Sequence, residues 1–170
     1  LAQTRDDDAA LERVLNTPPR GIGSKTVEKI REVARAEQIP MWQAIHRTRE
    51  QSLLPARALT ALGNFQALID DLDRSSETLP LDELTEHVIE VTGLLDYHRS
   101  EKGERGQARV ENLQELVTAT RLFEPEDEEI SPLQAFLDSA ALDAGEGQAD
   151  PYEDSIQMMT LHSAKGLEFP

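Results

Sequence analysis

Short helical stripes of apolar residues, several of them preceded by proline, constrain the fold of this 170-residue chain more than any other feature. Apolar residues recur every three to four positions, which is the period of a helix that packs one face on a core. Proline lacks an N–H and has a preset φ angle, so it suits the first turn of a helix. Pro40, Pro55, Pro80 and Pro132 are therefore predicted to begin helices, and the sequence predicts a mainly α fold.

Caps and breakers place the remaining helices. The acidic run Asp6–Asp8 suits the positive end of a first helix, and Ser24 is the predicted N-cap of a second helix that continues to about Glu37. Residues 101–106 are predicted as a polar loop and residues 144–151 as a linker. The predicted inward-facing residues are Leu11, Val14 and Leu15, then Val27, Ile30, Val33 and Ala34, then Trp42, then Leu59, Leu62, Phe65, Leu68, Ile69 and Leu72, and then Val110, Leu113, Leu116, Val117 and Thr120.

Composition excludes several classes of protein. Without cysteine there is no disulfide framework, no cysteine-containing zinc site and no thiol chemistry. No apolar run approaches the ~18 residues that a membrane-spanning helix needs. The chain begins with Leu1 rather than Met and shows no signal peptide, so we expect a fragment of a cytosolic protein that is cut at both ends.

The net charge of −16 is unevenly distributed, and the distribution is more informative than the total. Residues 11–50 contain eight Lys or Arg against five Glu. Residues 124–154 contain eleven acidic residues and no Lys or Arg. The sequence therefore predicts that the N-terminal part can meet a polyanion and that the acidic part repels one. The acidic run 126–129 is interpreted as a solvated loop, and no metal site is predicted.

A Gly-Ile-Gly loop lies between the first two predicted helices, within residues 17–26. The two glycines allow a close approach by a partner, and Ile22 between them can fill the core between the helices. Free amides at the following helix N-terminus favour an anion, as in a helix–hairpin–helix that binds DNA phosphates without reading sequence. The alternative is an ordinary glycine-rich turn. The predicted DNA-contacting residues are Arg20, Gly21, Ile22, Gly23, Ser24, Lys25, Thr26 and Lys29.

The end of the chain alternates apolar and polar residues over 156–161, which predicts a short β-strand that is interrupted soon after it begins. The turn after it contains Lys165 and Gly166, which could serve a phosphate, while Thr160 and His162 could hydrogen-bond a nucleic-acid backbone. An ordinary strand and turn is the alternative. The chain contains no Gly-x-x-x-x-Gly-Lys-Ser/Thr phosphate loop.

Several segments resemble the UvrD/PcrA/Rep group of superfamily 1 DNA helicases. Residues 159–170, Met-Thr-Leu-His-Ser-Ala-Lys-Gly-Leu-Glu-Phe-Pro, are similar to motif V of that family. Residues 16–23, Asn-Thr-Pro-Pro-Arg-Gly-Ile-Gly, resemble the helix–hairpin–helix of its 2B subdomain. Residues 101–107, 111–116 and 144–150 also resemble the family, so the similarity extends over essentially the whole chain in order.

The resemblance implies a fragment of a 3′→5′ helicase that hydrolyses ATP with Mg²⁺ in DNA repair and replication. It also implies a bacterial cytoplasmic protein that is associated with the nucleoid. Residues 1–150 would be the helical 2B subdomain, which rotates between open and closed states, with its helix–hairpin–helix at about 8–37. Residues 151–170 would be a linker and the motif V edge of the second RecA-like domain. Thr160 and His162 would face single-stranded DNA, and Lys165, Gly166 and Glu168 would lie toward the nucleotide.

The Walker A lysine, the magnesium-binding acidic pair and the arginines that sense the γ-phosphate have no counterpart in the chain. We therefore predict no catalytic residue, no metal, no cofactor and no ATP hydrolysis for this chain alone, and a monomer. An alternative from another class is a regulatory module that docks repair or transcription proteins through the acidic 124–154 surface.

Overall fold

Eight α-helices account for most of the described residues, which are 1, 4–125 and 129–146 of a computed structural model. No strand occurs in those ranges, so the prediction of a mainly α fold is confirmed for them. The predicted strand at 156–161 and the predicted boundary at residue 150 lie outside the described residues. The helices are α1 (Asp8–Val14), α2 (Ser24–Glu37), α3 (Met41–Glu50), α4 (Ala56–Ser76), α5 (Leu81–Thr92), α6 (Leu94–Ser100), α7 (Glu104–Leu122) and α8 (Pro132–Glu146).

The chain divides into two compact units, Leu1–Phe123 with helices α1 to α7 and Glu124–Pro170 with α8. In the second unit, α8 leaves Leu137 and Leu142 exposed, at 48% and 75%. No helix in the described ranges is long and apolar enough to cross a membrane.

Proline begins four helices, as predicted. Pro40, Pro55 and Pro80 are the N-cap residues of α3, α4 and α5, with φ angles of −57°, −57° and −55°. Pro132 is the first residue of α8. The preset φ angle of proline matches the geometry of a helix start, and its missing N–H is one that a helix start leaves without an intrahelical partner.

Three predicted boundaries are wrong. Ser24 is the first residue of α2, and the N-cap is Gly23 in an extended conformation without a side-chain hydrogen bond. Residues 104–106 belong to α7 rather than to a loop, because Gly103 turns the chain with a φ angle of 90° and frees the next residue to start a helix. The predicted linker begins too early, because α8 continues through Glu146.

The main core lies where α1 to α4 meet. Phe65 and Leu62 of α4 are at most 1% exposed and belong to the same cluster as Trp42 of α3, which confirms Trp42 as a core residue. Val14 was predicted to face inward with Leu11 and Leu15, but it is 38% exposed. Leu11 and Leu15 alone fill the inward positions at this short helix. The buried cluster comprises Leu11, Leu15, Ile22, Ile30, Val33, Ala34, Met41, Trp42, Ala44, Ile45, Leu62, Phe65, Ile69 and Leu72.

The carboxylates of Asp7 and Asp8, in the acidic run predicted to begin a helix, accept hydrogen bonds from amides at the starts of two helices. Asp7 Oδ1 accepts from the amide N of Ala10 at 2.8 Å and caps α1. Asp8 Oδ1 accepts from the amide N of Met41 at 2.8 Å and so caps α3, a helix that begins 33 residues later. Each bond pairs an amide that the start of a helix leaves without an intrahelical partner, so the start of α1 also fixes the position of α3.

Arg5 fastens the segment before α1 to α4. Its Nη2 atom lies 3.1 Å from Asp70 Oδ1 and 3.0 Å from Asp73 Oδ2. Its guanidinium carbon lies 4.7 Å from the centroid of the Trp42 ring, within the range of a cation–π contact.

Helices α5, α6 and α7 form a second layer in the first unit. Arg121 of α7 lies 3.1 Å from both Asp82 and Glu86 of α5. Gly106 of α7 approaches the end of α6 so closely that an added Cβ would lie 2.5 Å from the carbonyl O of Glu101 and 2.7 Å from that of His98. This contact requires glycine for its size.

Gly106→Ala is expected to lower the free energy of unfolding by about 1–3 kcal/mol, the usual cost of overpacking a close contact. Gly63→Ala is the matched control, because a Cβ there would meet only the flexible end of Arg49, at 2.8 Å from Nη2. Gly63→Ala should change the free energy of unfolding by no more than about 1 kcal/mol, which is what a helix gains when alanine replaces glycine. Urea unfolding followed by circular dichroism measures both, and equal stability of the two variants would contradict the prediction.

Candidate nucleic-acid interface

One side-chain oxygen shapes the loop between α1 and α2, residues 15–23, which we call the α1–α2 loop. Asn16 Oδ1 accepts from the amide N of Arg20 at 2.8 Å and from the amide N of Ile22 at 3.1 Å. Asparagine is favoured in turns because its short side chain can bond the backbone a few residues further on. Asn16 was not among the predicted site residues, although an asparagine directly after a helical stripe and before Pro-Pro is the signal that indicates it.

The two glycines of the loop differ in what they supply. Gly21 has a φ angle of 77°, in the left-handed region that favours glycine. Gly23 has φ −80° and ψ 169°, which any residue can adopt. An added Cβ at either position would meet no atom of the described residues within 4 Å, so that part of the chain leaves the space beside both glycines open. The loop surface can therefore be approached closely from outside.

Amide groups at the start of α2 point to no acceptor in the described part of the chain. The N–H groups of Thr26 and Val27 bond to Gly23 O, at 3.0 and 3.2 Å. No hydrogen bond among the described residues uses the N–H of Gly23, Ser24 or Lys25. Free amides at the positive end of a 14-residue helix form an electrostatic environment that suits an anion.

The three predicted basic residues lie in three different environments. Lys25 is exposed and takes part in no ion pair among the described residues. Lys29 Nζ pairs with Glu32 Oε2 at 3.0 Å on the same helix. Arg20, which was predicted to contact DNA together with these lysines, is turned inward instead.

Arg20 is bonded to three backbone carbonyls. Its Nη1 donates to the O atoms of Val14 at 2.9 Å and Pro18 at 3.1 Å, and its Nη2 donates to Thr92 O at 3.3 Å. Its guanidinium carbon lies 5.7 Å from the centroid of the Phe65 ring. Burial lowers the pKa of Arg20 from its usual value, although arginine remains charged at neutral pH. The carbonyls of two helix ends thus hold the guanidinium inward, although Arg20 was predicted to contact DNA.

Two other predicted residues face the interior with their side chains. Ile22 is 1% exposed and belongs to the main core, which confirms that it fills the space between the helices. Thr26 is 7% exposed, and its N–H is already bonded to Gly23 O. The groups that are open to a ligand at the end of the loop and the start of α2 are therefore the amides of residues 23–25 and the Lys25 side chain.

The predicted C-terminal site residues, Thr160, His162, Lys165, Gly166 and Glu168, lie outside the described residues and stay predictions. Within the described ranges, no group of three His, Asp or Glu side chains is placed to hold a metal ion.

An ion pair that was not predicted joins the two helices on either side of the loop. Arg31 of α2 donates from Nη2 to Glu12 Oε2 of α1 at 2.7 Å, and a second bond joins Nε to Oε1. The hydrogen bonds from Arg31 hold the pKa of Glu12 below its usual value. The residues are 19 positions apart, so only the fold of the loop brings them together.

A model of the UvrD-like helicase C-terminal domain family matches residues 1–170. The chain belongs to this family. It is 53% identical to "DNA helicase II" of Escherichia coli (strain K12) over 172 residues, and 51% identical to "DNA helicase II" of Haemophilus influenzae (strain ATCC 51907 / DSM 11121 / KW20 / Rd) over 172 residues. It is also 36% identical to "ATP-dependent DNA helicase PcrA" of Bacillus subtilis (strain 168) over 176 residues.

Each of these alignments covers 100% of this chain and 24% of the relative. The chain therefore spans about a quarter of the length of the curated relatives it matches. The resemblance predicted from the sequence is confirmed at the level of the family.

Glu12→Gln is expected to reduce the loss of stability that occurs when the pH is lowered. The pKa of Glu12 is lowered in the folded state, so its stabilising contribution is present above the usual value of 4.5 and is lost as the pH falls through the folded value. The difference in free energy of unfolding between the wild type and Glu12→Gln should therefore be larger at pH 7 than at pH 3, measured by urea unfolding at both pH values.

Glu115→Gln controls for the loss of one negative charge, because Glu115 is exposed on α7 and forms no ion pair in the described part of the chain. If Glu12→Gln behaves like this control at both pH values, the pair with Arg31 does not stabilise the ionised carboxylate.

Proposed function

We propose that this chain is the 2B subdomain of an ATP-dependent DNA helicase, together with the motif V edge of its second RecA-like domain, and that it binds duplex DNA. The observation that carries the proposal is the group of unpaired amides at Gly23, Ser24 and Lys25, beside the exposed Lys25 side chain. Together with α1, the α1–α2 loop and α2 would form a helix–hairpin–helix. The relatives, which are named as a DNA helicase and an ATP-dependent DNA helicase, support the same function.

The mode of binding follows from the groups available. Backbone amides and a lysine ammonium recognise phosphate oxygens, which are the same for every base pair, so the proposed contact is independent of sequence. Few phosphates can be engaged by one loop, and the interaction is expected to be weak and strongly dependent on salt. The acidic character of the rest of the chain limits the contact with DNA to this basic end.

In the whole protein, we propose 3′→5′ unwinding coupled to ATP hydrolysis with Mg²⁺, in DNA repair and replication in the bacterial cytoplasm. Thr160 and His162 would contact single-stranded DNA, and Lys165, Gly166 and Glu168 would lie toward the nucleotide. The chain has no phosphate loop with the Walker A pattern, so by itself it is proposed to bind DNA as a monomer without hydrolysing ATP. Rotation between open and closed states would move the duplex-binding loop.

A docking module for repair or transcription proteins is the second candidate. A groove of about 590 Å³ lies between α5, α6 and α7, with Leu95, Leu113 and Val117 among its lining residues. Leu116 and Leu122 of α7 are also exposed, at 39% and 75%. An open groove with apolar lining residues is typical of surfaces that bind another protein, and the exposed leucines add apolar surface to the same helix.

Lys25→Ala is expected to weaken duplex binding and to make its salt dependence shallower by about 1 in the slope of log affinity against log salt concentration, because one phosphate contact is lost. Fluorescence anisotropy of a labelled blunt duplex across a series of NaCl concentrations measures both quantities.

Lys102→Ala is the matched control, since Lys102 is also exposed and has no ion pair in the described ranges. Affinity and slope should match those of the wild type. Duplex binding that survives Lys25→Ala unchanged, or that does not weaken with salt in the wild type, would overturn the proposed contact.

The docking candidate predicts a different pattern. A purified repair or transcription protein should bind the wild-type chain, and a Leu116→Asp, Leu122→Asp double variant should lose that binding while Lys25→Ala retains it. Isothermal titration calorimetry measures the association. Undetectable duplex binding by the wild type together with this pattern would favour docking over DNA binding.

A further inference from the structure

The guanidinium of Arg20 is shared by the C-terminal ends of two helices. Val14, which accepts from Nη1 at 2.9 Å, is the last residue of α1. Thr92, which accepts from Nη2 at 3.3 Å, is the last residue of α5. The two acceptors are 78 positions apart in the sequence, and the third acceptor, Pro18 O, lies within the α1–α2 loop itself.

Helix C-termini are suited to a cation for two reasons. The last carbonyls of a helix have no intrahelical donor, and the aligned peptide dipoles leave partial negative charge there. The planar guanidinium carries several N–H groups in a fixed fork, so it can serve more than one carbonyl at once, whereas a lysine ammonium is a compact point charge. Arginine is therefore the basic residue that fits this position.

The backbone amide and the side chain of Arg20 both form hydrogen bonds within the protein. Its backbone N–H is bonded to Asn16 Oδ1, and its side chain has three carbonyl acceptors and lies near the Phe65 ring. For Arg20 to reach a DNA phosphate, the bonds to Val14, Pro18 and Thr92 would have to break. The Arg20 side chain therefore holds the conformation of the loop and does not form part of its outer surface.

We propose that Arg20 is a positioning residue: it ties the α1–α2 loop to the end of α5 and thereby orients the free amides of Gly23, Ser24 and Lys25 toward a phosphate. This inference rests on the proposed duplex binding. Because Thr92 is followed by Gly93, which turns the chain from α5 into α6 with a φ angle of 74°, the same arginine couples the shape of the loop to that turn.

The test compares Arg20→Ala, Arg20→Lys and Lys25→Ala in the 170-residue chain, with Arg57→Ala as control for the loss of one exposed positive charge that has no ion pair in the described ranges. Duplex affinity is measured by anisotropy across a salt series, as for Lys25. We expect Arg20→Ala to bind about tenfold more weakly, because the amides are no longer preorganised for a phosphate, with an unchanged salt slope. Arg20→Lys should not rescue the affinity, because lysine cannot serve the separated carbonyls.

A direct phosphate contact by Arg20 predicts the opposite result. The slope would become shallower by about 0.9 in Arg20→Ala, as expected for Lys25→Ala, and Arg20→Lys would retain most of the affinity. Either observation would overturn the positioning role.

Hydrogen–deuterium exchange in the DNA-free chain separates this inference from the proposed function. Arg20→Ala and Arg20→Lys should both speed exchange at residues 16–24, whereas Lys25→Ala and Arg57→Ala should not, and exchange in the buried parts of α2 and α4 reports whether each variant is folded. Unchanged exchange at 16–24 in Arg20→Ala would overturn the positioning role. Failure of the wild type to bind duplex, with faster loop exchange in Arg20→Ala, would instead refute the DNA contact and leave the structural tie intact.

Discussion

The pairing of helix ends is the constraint on which the first unit depends. Short helices have many ends relative to their length, and each end leaves amides or carbonyls without intrahelical partners. Asp8 supplies an acceptor to the start of α3, and Arg20 supplies donors to the ends of α1 and α5. These polar side chains connect helices that are distant in sequence, so the bonds that satisfy helix ends also determine which helices are neighbours.

The start of α2 follows the same rule with a different outcome. Gly23 provides no side-chain acceptor at its N-cap, and the space beside Gly21 and Gly23 is open. A polar group that the protein leaves without a partner at its surface can be satisfied by water or by a ligand. Unpaired backbone groups at a helix end need a partner. At the end of α1 that partner is Arg20, and at the start of α2 it would be a DNA phosphate.

Local signals were enough to predict the helices and much of the core. Proline placed the starts of α3, α4, α5 and α8, and helical periodicity identified the buried apolar residues of α4 but not the buried Gln66. The errors arose where a residue's role depends on a distant neighbour. Nothing near Arg20 in the sequence indicates Thr92 O, and nothing near Gly106 indicates that the end of α6 lies against it. Composition and spacing also suggested that Arg20, Lys25 and Lys29 act alike, whereas the fold gives them three different environments.

The attachment of Arg5 to Asp70, Asp73 and Trp42 has a mechanical consequence. Tension applied to the chain at residue 1 would reach α4 through this cluster before it reached α1. The α1–α2 loop lies beyond the point of attachment, so a pull from that side would be carried by the longest helix of the unit rather than by the loop. The α1–α2 loop, which would meet the proposed ligand, is in this way shielded from strain that enters at residue 1.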